Sequence, residues 1–102
     1  AWADDLGQTN PEETRLTRAF SGRAGRGIAT DYVRAAASPE APKPAPYPLQ
    51  RGMTRLMREG AAKAGDVARM QAWAGQSARM ARAEPAAEIM ARLWREAEAI
   101  LR

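Results

Sequence analysis

The chain has no cysteine and no histidine among its 102 residues. Without thiols it can hold no disulfide, no thiolate nucleophile and no Cys-based zinc site. The missing imidazole removes the commonest general base and metal ligand, so acid–base work done by these residues alone falls to carboxylates, tyrosine or lysine. Twelve acidic residues are present, yet no two share an apolar setting of the kind that tunes a carboxylate pair. No metal site is therefore expected within the chain. Large apolar side chains are also scarce: Phe20 is the sole phenylalanine, and much of the apolar content is alanine. No run approaches the roughly 20 apolar residues that span a bilayer, and no signal peptide is visible. The expected location is cytoplasmic, with no membrane partner.

What remains is an Ala/Arg-rich chain of at most one domain, expected to be mainly α, with one short strand and about four helices. The net charge of +4 is unevenly placed: residues 1–48 carry six basic and six acidic side chains, residues 49–102 ten and six. A basic half raises the possibility of a nucleic-acid partner. Arg23, Arg26, Arg51, Arg55 and Arg58 are the residues such a partner would use, although a solvated or paired face is the commoner meaning of a basic line.

Along the chain, Asn10-Pro11 signals a turn, while Trp2 and Leu6 before it have no evident local partner. Thr14 to Phe20 alternates as a strand, with Thr14, Leu16, Arg18 and Phe20 on one side. A lone strand is not stable by itself, which points to a larger body. Ser21-Gly22-Arg23-Ala24-Gly25-Arg26-Gly27 offers glycines and two arginines, a conceivable phosphate cradle without Walker or Rossmann spacing. A turn and helix entry, with Arg23 or Arg26 in structural ion pairs, is the favoured reading. A short helix is expected over Ile28–Ala37. Ser38 to Pro48 holds five of the seven prolines and must be an extended connector. Within it, Tyr47 either packs the loop down or projects its hydroxyl into a cleft.

A helix is predicted over Leu49–Ala64, with an apolar stripe of Leu49, Met53, Leu56, Met57 and Gly60 or Ala61, ending at Gly65-Asp66. Asp66 then caps a short helix reaching Trp73. A last helix opens at Glu84-Pro85 with Ile89, Met90, Leu93, Trp94, Ala97, Ile100 and Leu101 on one face and Glu88–Arg92 and Glu98–Arg102 pairs outside. That face calls for a partner surface, and a protein partner is an alternative function for the chain. The methionines are expected as core filler. Between the last two helices, Trp73-Ala74-Gly75-Gln76 reads either as a helix corner with Trp73 as core anchor, or as a piece of a binding pocket.

Taken in order, Thr17-Arg18-Ala19-Phe20-Ser21-Gly22-Arg23, Arg26-Gly27-Ile28, Tyr47-Pro48, Thr54-Arg55, Ala61-Ala62, Gly65-Asp66 and Trp73-Ala74-Gly75-Gln76 resemble the C-terminal third of nitronate monooxygenases, formerly called 2-nitropropane dioxygenases. The resemblance covers residues 14 to 101. It implies a C-terminal fragment of an FMN-dependent α/β TIM-barrel enzyme that oxidises alkyl nitronates with O2 to a carbonyl compound and nitrite. It also implies three parts: residues 1–37 ending the barrel body, 38–48 the connector, and 49–102 helices covering the flavin pocket. Gly75 and Gln76 are then expected at the FMN ring, and Tyr47 and Trp73 at the substrate. The family's catalytic histidine and FMN-phosphate glycine loops lie upstream, in a barrel body that these residues do not include. The fragment alone is expected to be inactive.

Overall fold

Phe20 marks the point where the elements meet. The computed structural model describes residues 1–102. In chain order it forms helix α1 (Trp2–Leu6), a 3-10 turn (Pro11–Glu13), strands β1 (Thr14–Thr17) and β2 (Gly25–Ile28), and helices α2 (Asp31–Ala36), α3 (Leu49–Met53) and α4 (Arg55–Ala64). Two more 3-10 turns, Val67–Arg69 and Ala78–Met80, precede helix α5 (Ala86–Leu101). The chain is mostly helical, and its small sheet is not closed into a barrel.

The expectation of a single strand needs correction. β1 and β2 pair antiparallel, Thr14 opposite Ile28 and Thr17 opposite Gly25. The alternation read through Phe20 stops at Thr17 because Ala19 and Phe20 are both buried, Phe20 with 2% exposure, and no strand can send neighbouring side chains to one face. Thr17 Oγ1 accepts the Ala19 N–H at 3.1 Å and turns the chain inward. The glycine run is a strand rather than a helix entry because another backbone lies against it. The Ile28 N–H donates to the Ala72 carbonyl at 2.8 Å and the Ala74 N–H to the Arg26 carbonyl at 3.2 Å, so Ala72–Ala74 follows the free edge of β2 through a Gly27–Trp73 bridge. A Cβ on Gly25 would fall 2.6 Å from the Trp73 ring, and one on Gly27 2.8 Å from the Ala72 carbonyl oxygen. Such close approach is what glycine inside a strand provides.

The Phe20 ring lies 5.0 Å from Tyr32 and 6.0 Å from Trp73, the latter edge-on at 79°, a favoured geometry for aromatic pairs. Val33, Ala61, Met70, Ala72 and Ala74 complete a small core. Of the methionines expected there, Met53, Met80 and Met90 are instead exposed.

The helices are also recut. Thr30 caps α2 by accepting the Val33 N–H at 3.4 Å, so the helix begins at Asp31 rather than Ile28. The helix expected over Leu49–Ala64 breaks at Thr54, whose hydroxyl donates to the Phe20 carbonyl at 2.6 Å. That bond turns the polar side of the helix inward. Leu49, Met53 and Leu56 consequently face outward, whereas Met57 is half-buried and Ala61 buried, so only the C-terminal end of the expected stripe faces the core. α4 ends at Gly65 in the left-handed conformation (φ 66°), and the Asp66 N–H returns to the Ala61 carbonyl at 2.9 Å, a helix stop that uses glycine's freedom. Asp66 caps the next turn through the Ala68 N–H at 3.1 Å. The chain then extends instead of continuing as a helix to Trp73. α5 follows Pro85 as predicted, but none of its residues is buried. Glu98 pairs with Arg102 at 2.7 Å, while Arg92 pairs with Glu84 in place of Glu88.

Candidate functional site

A tight turn, Arg18–Gly22, organises the region, closed by the Gly22 N–H on the Arg18 carbonyl at 2.8 Å. Gly22 has φ 89°. A Cβ there would lie 2.4 Å from the Tyr47 nitrogen and 2.6 Å from the Ala45 oxygen. The proline-rich connector thus crosses directly over Gly22. Arg23 lays its guanidinium over the Tyr47 ring, 4.1 Å from the centroid, a cation–π contact. The expected ion pairs of Arg23 and Arg26 are replaced by this stack and by Arg26 donating to Thr14 Oγ1 at 3.0 Å. The glycine run is no phosphate cradle: its open faces are filled by Trp73 and by the connector.

Two side chains outside the predicted set tie α3 to this turn. Gln50 Nε2 donates to the Ala19 carbonyl at 2.7 Å, and Gln50 Oε1 accepts the Ala45 N–H at 3.0 Å. Thr54 holds the next carbonyl, that of Phe20. The Tyr32 hydroxyl also donates to the Ala19 carbonyl, at 2.9 Å. Burial pushes the Tyr32 phenol up from its ordinary value near 10, and the neighbouring Gln50 amide pulls it partway back. Only the adjacency of Gln50 to a segment poor in N–H groups hinted at its use. An apolar cleft of about 410 Å³ lies beneath the connector, lined by Tyr32, Ala35, Pro42, Lys43, Pro44 and Met53 among others.

Trp73 is the second arm on the same turn. Its ring packs on Phe20 and beneath Gly25, and its carbonyl accepts the Trp2 indole N–H at 3.1 Å, which supplies the partner Trp2 lacked in the sequence. Both Trp73 and Tyr47 are therefore built on residues 20–27. Gly75 and Gln76 stand just beyond Trp73, where the chain leaves the sheet edge, and both are exposed. No heavy atom lies within 4 Å of the position a Gly75 Cβ would take. Neither Tyr47, Trp73, Gly75 nor Gln76 lines the cleft beneath the connector. The five arginines of the nucleic-acid alternative do not form one free strip. Arg58 turns inward, donating to Thr54 Oγ1, Gln71 Oε1 and the Arg51 carbonyl at 3.2, 3.3 and 3.0 Å, and Arg55 lies 3.9 Å from Glu59.

The nitronate monooxygenase family model matches residues 3–96. The chain belongs to the nitronate monooxygenase family. It is 39% identical over 83 residues to a nitronate monooxygenase of Paraburkholderia phytofirmans, an overlap of 81% of this chain and 23% of that protein. It is 33% identical over 98 residues to a probable nitronate monooxygenase of Staphylococcus aureus, covering 96% of this chain and 27% of that protein. The solved structure of nitroalkane oxidase from Streptomyces ansochromogenes superposes on the whole chain with a TM-score of 0.77 at 40% identity, using 30% of its own length. The chain spans about a quarter of the length of the curated nitronate monooxygenases it matches. No helix is long and apolar enough to cross a membrane.

Proposed function

We propose that the chain is the C-terminal segment of an FMN-dependent nitronate monooxygenase, the part that covers the mouth of a flavin pocket built on a TIM-barrel body. The observation that carries this reading is the 40% identity at TM-score 0.77 that the whole chain holds with nearly a third of the nitroalkane oxidase. The substrate class is alkyl nitronate, converted with O2 to a carbonyl compound and nitrite. A cytoplasmic location accompanies it.

FMN, when bound, supplies the redox chemistry, and the protein supplies orientation and access. The residues at the end of the sheet edge fit the rim of the flavin ring. Gly75 leaves open space for a flat ring to approach, and the exposed Gln76 carboxamide can donate and accept beside it. The chain offers no fit for the FMN phosphate, because the glycines of the Gly22–Gly27 run are closed by the chain itself. Trp73 excludes water from one wall. Tyr47, half-exposed and held by Arg23, offers a phenol hydroxyl to a nitronate oxygen at the entrance. Proton transfer is assigned to the barrel body, since these residues include no histidine.

Gln76→Ala in the full-length flavoprotein is expected to weaken FMN about tenfold, the loss of one to two hydrogen bonds, read by titration of flavin fluorescence. Unchanged affinity together with unchanged turnover removes Gln76 from the site.

A further inference from the structure

We propose that Gln50 is a positioning residue that sets where Tyr47 stands. Between Pro42 and Pro48 every second residue is proline, and a polyproline-like segment makes no internal hydrogen bonds to hold its course. The Ala45 N–H, two residues before Tyr47, is one of the few donors left there. It is taken by Gln50 Oε1 at 3.0 Å, while Nε2 of the same amide donates to the Ala19 carbonyl at 2.7 Å. One planar group thus bridges the connector and the Arg18–Gly22 turn. The bridge demands a carboxamide, an acceptor toward the N–H and a donor toward the carbonyl. On the other side, the absent Cβ of Gly22 lets the connector sit close, and Arg23 clamps the Tyr47 ring.

Losing this bridge does not dismantle the core. The Tyr32 hydroxyl still donates to the Ala19 carbonyl at 2.9 Å, and Thr54 still holds Phe20. Gln50→Leu removes both bonds of the bridge at similar volume. Gln50→Glu keeps the acceptor but turns a carboxylate oxygen toward the Ala19 carbonyl. Gln50→Leu therefore frees the connector, and Gln50→Glu keeps the bond to the Ala45 N–H while losing the anchor to the Arg18–Gly22 turn.

The functional part of this proposal rests on Tyr47 standing at the substrate entrance; the clamp itself does not. In the full 102-residue chain, amide exchange at Ala45 is expected to accelerate at least tenfold in Gln50→Leu while exchange in β1 and β2 is unchanged. In the FMN-loaded flavoprotein, Gln50→Leu and Gln50→Glu are expected to raise KM for an alkyl nitronate about tenfold, with kcat within twofold and flavin content unaltered. Tyr47→Ala is expected to give the same rise, and the double variant Tyr47→Ala/Gln50→Leu no further rise, the signature of residues acting as one unit. Unchanged exchange at Ala45, or additive KM effects in the double variant, overturns the proposal. A Tyr47→Ala enzyme with unaltered KM overturns the entrance role of Tyr47, whereas accelerated Ala45 exchange in Gln50→Leu still upholds the clamp.

Discussion

Replacing Gly22 by alanine would force a residue with a Cβ into φ 89° and place that atom 2.4 Å from the Tyr47 nitrogen. The cost combines left-handed strain with displacement of a backbone, about 2 kcal/mol or more, and urea unfolding of the 102-residue chain should show it. Thr54→Val strips the Phe20 carbonyl of its donor and should cost about 1–2 kcal/mol by the same measurement. Tyr32 adds a pH dependence. Its phenol is raised above the ordinary value near 10, so below pH 10 folded and unfolded chains both keep the proton and its contribution to stability is whole. As pH climbs past that value the unfolded chain ionises first, and stability falls until the folded phenol ionises in turn. Tyr32→Phe should flatten this alkaline decline in a series of thermal melts. At this scale the sequence made Tyr47, Trp73 and the glycine run visible because their composition is unusual. Gln50 and the role of Thr54, visible only within the Thr54-Arg55 motif, stayed hidden because ordinary polar residues become informative only once their carbonyl partners, 31 and 34 positions away, are known.

Among the elements, helix stops and caps were legible, since Gly65, Asp66 and Pro85 act through their immediate neighbours. β2 was not: Gly25 and Gly27 read as a turn, and only the backbone of Ala72–Ala74 lying along them makes that run a strand. The α3–α4 stripe misled only in part: Met57 and Ala61 turn inward, whereas Leu49, Met53 and Leu56 are apolar and exposed. α5 presents the same situation more clearly. Met90, Leu93, Ala97 and Ile100 recur at intervals of three and four, flanked by Ile89, Trp94 and Leu101, and Trp94 and Leu101 are 70% and 86% exposed. The stripe is wider than the two positions per seven of a coiled-coil seam and matches a helix seated on a globular body. Leu93→Lys should therefore leave the melting of the 102-residue chain almost unchanged, yet destabilise the full-length flavoprotein by about 2–4 kcal/mol. Equal effects in the two proteins would mean that α5 faces solvent in both.

At the scale of the whole molecule, the radius of gyration is 16.2 Å and the longest extent 51 Å, against a radius of about 13 Å for a packed domain of similar length. An extended outline, a two-stranded sheet and apolar faces on α3, α4 and α5 all fit a segment shaped by a larger partner. The comparisons agree in kind, since the chain covers all of itself but only 30% of the nitroalkane oxidase. The family was legible from the order of short motifs, each of which is weak alone. In the proposed function Gly75 and Gln76 stand nearest the flavin, a placement that rests on the order of the motifs. Nitrite release with O2 uptake from an alkyl nitronate, FMN supplied, is the most direct measurement, made on the full-length flavoprotein and on the 102-residue chain in parallel. Turnover by the flavoprotein and none by the chain is the predicted result; nitrite from the chain alone, or a full-length protein that leaves nitronates untouched, would contradict it.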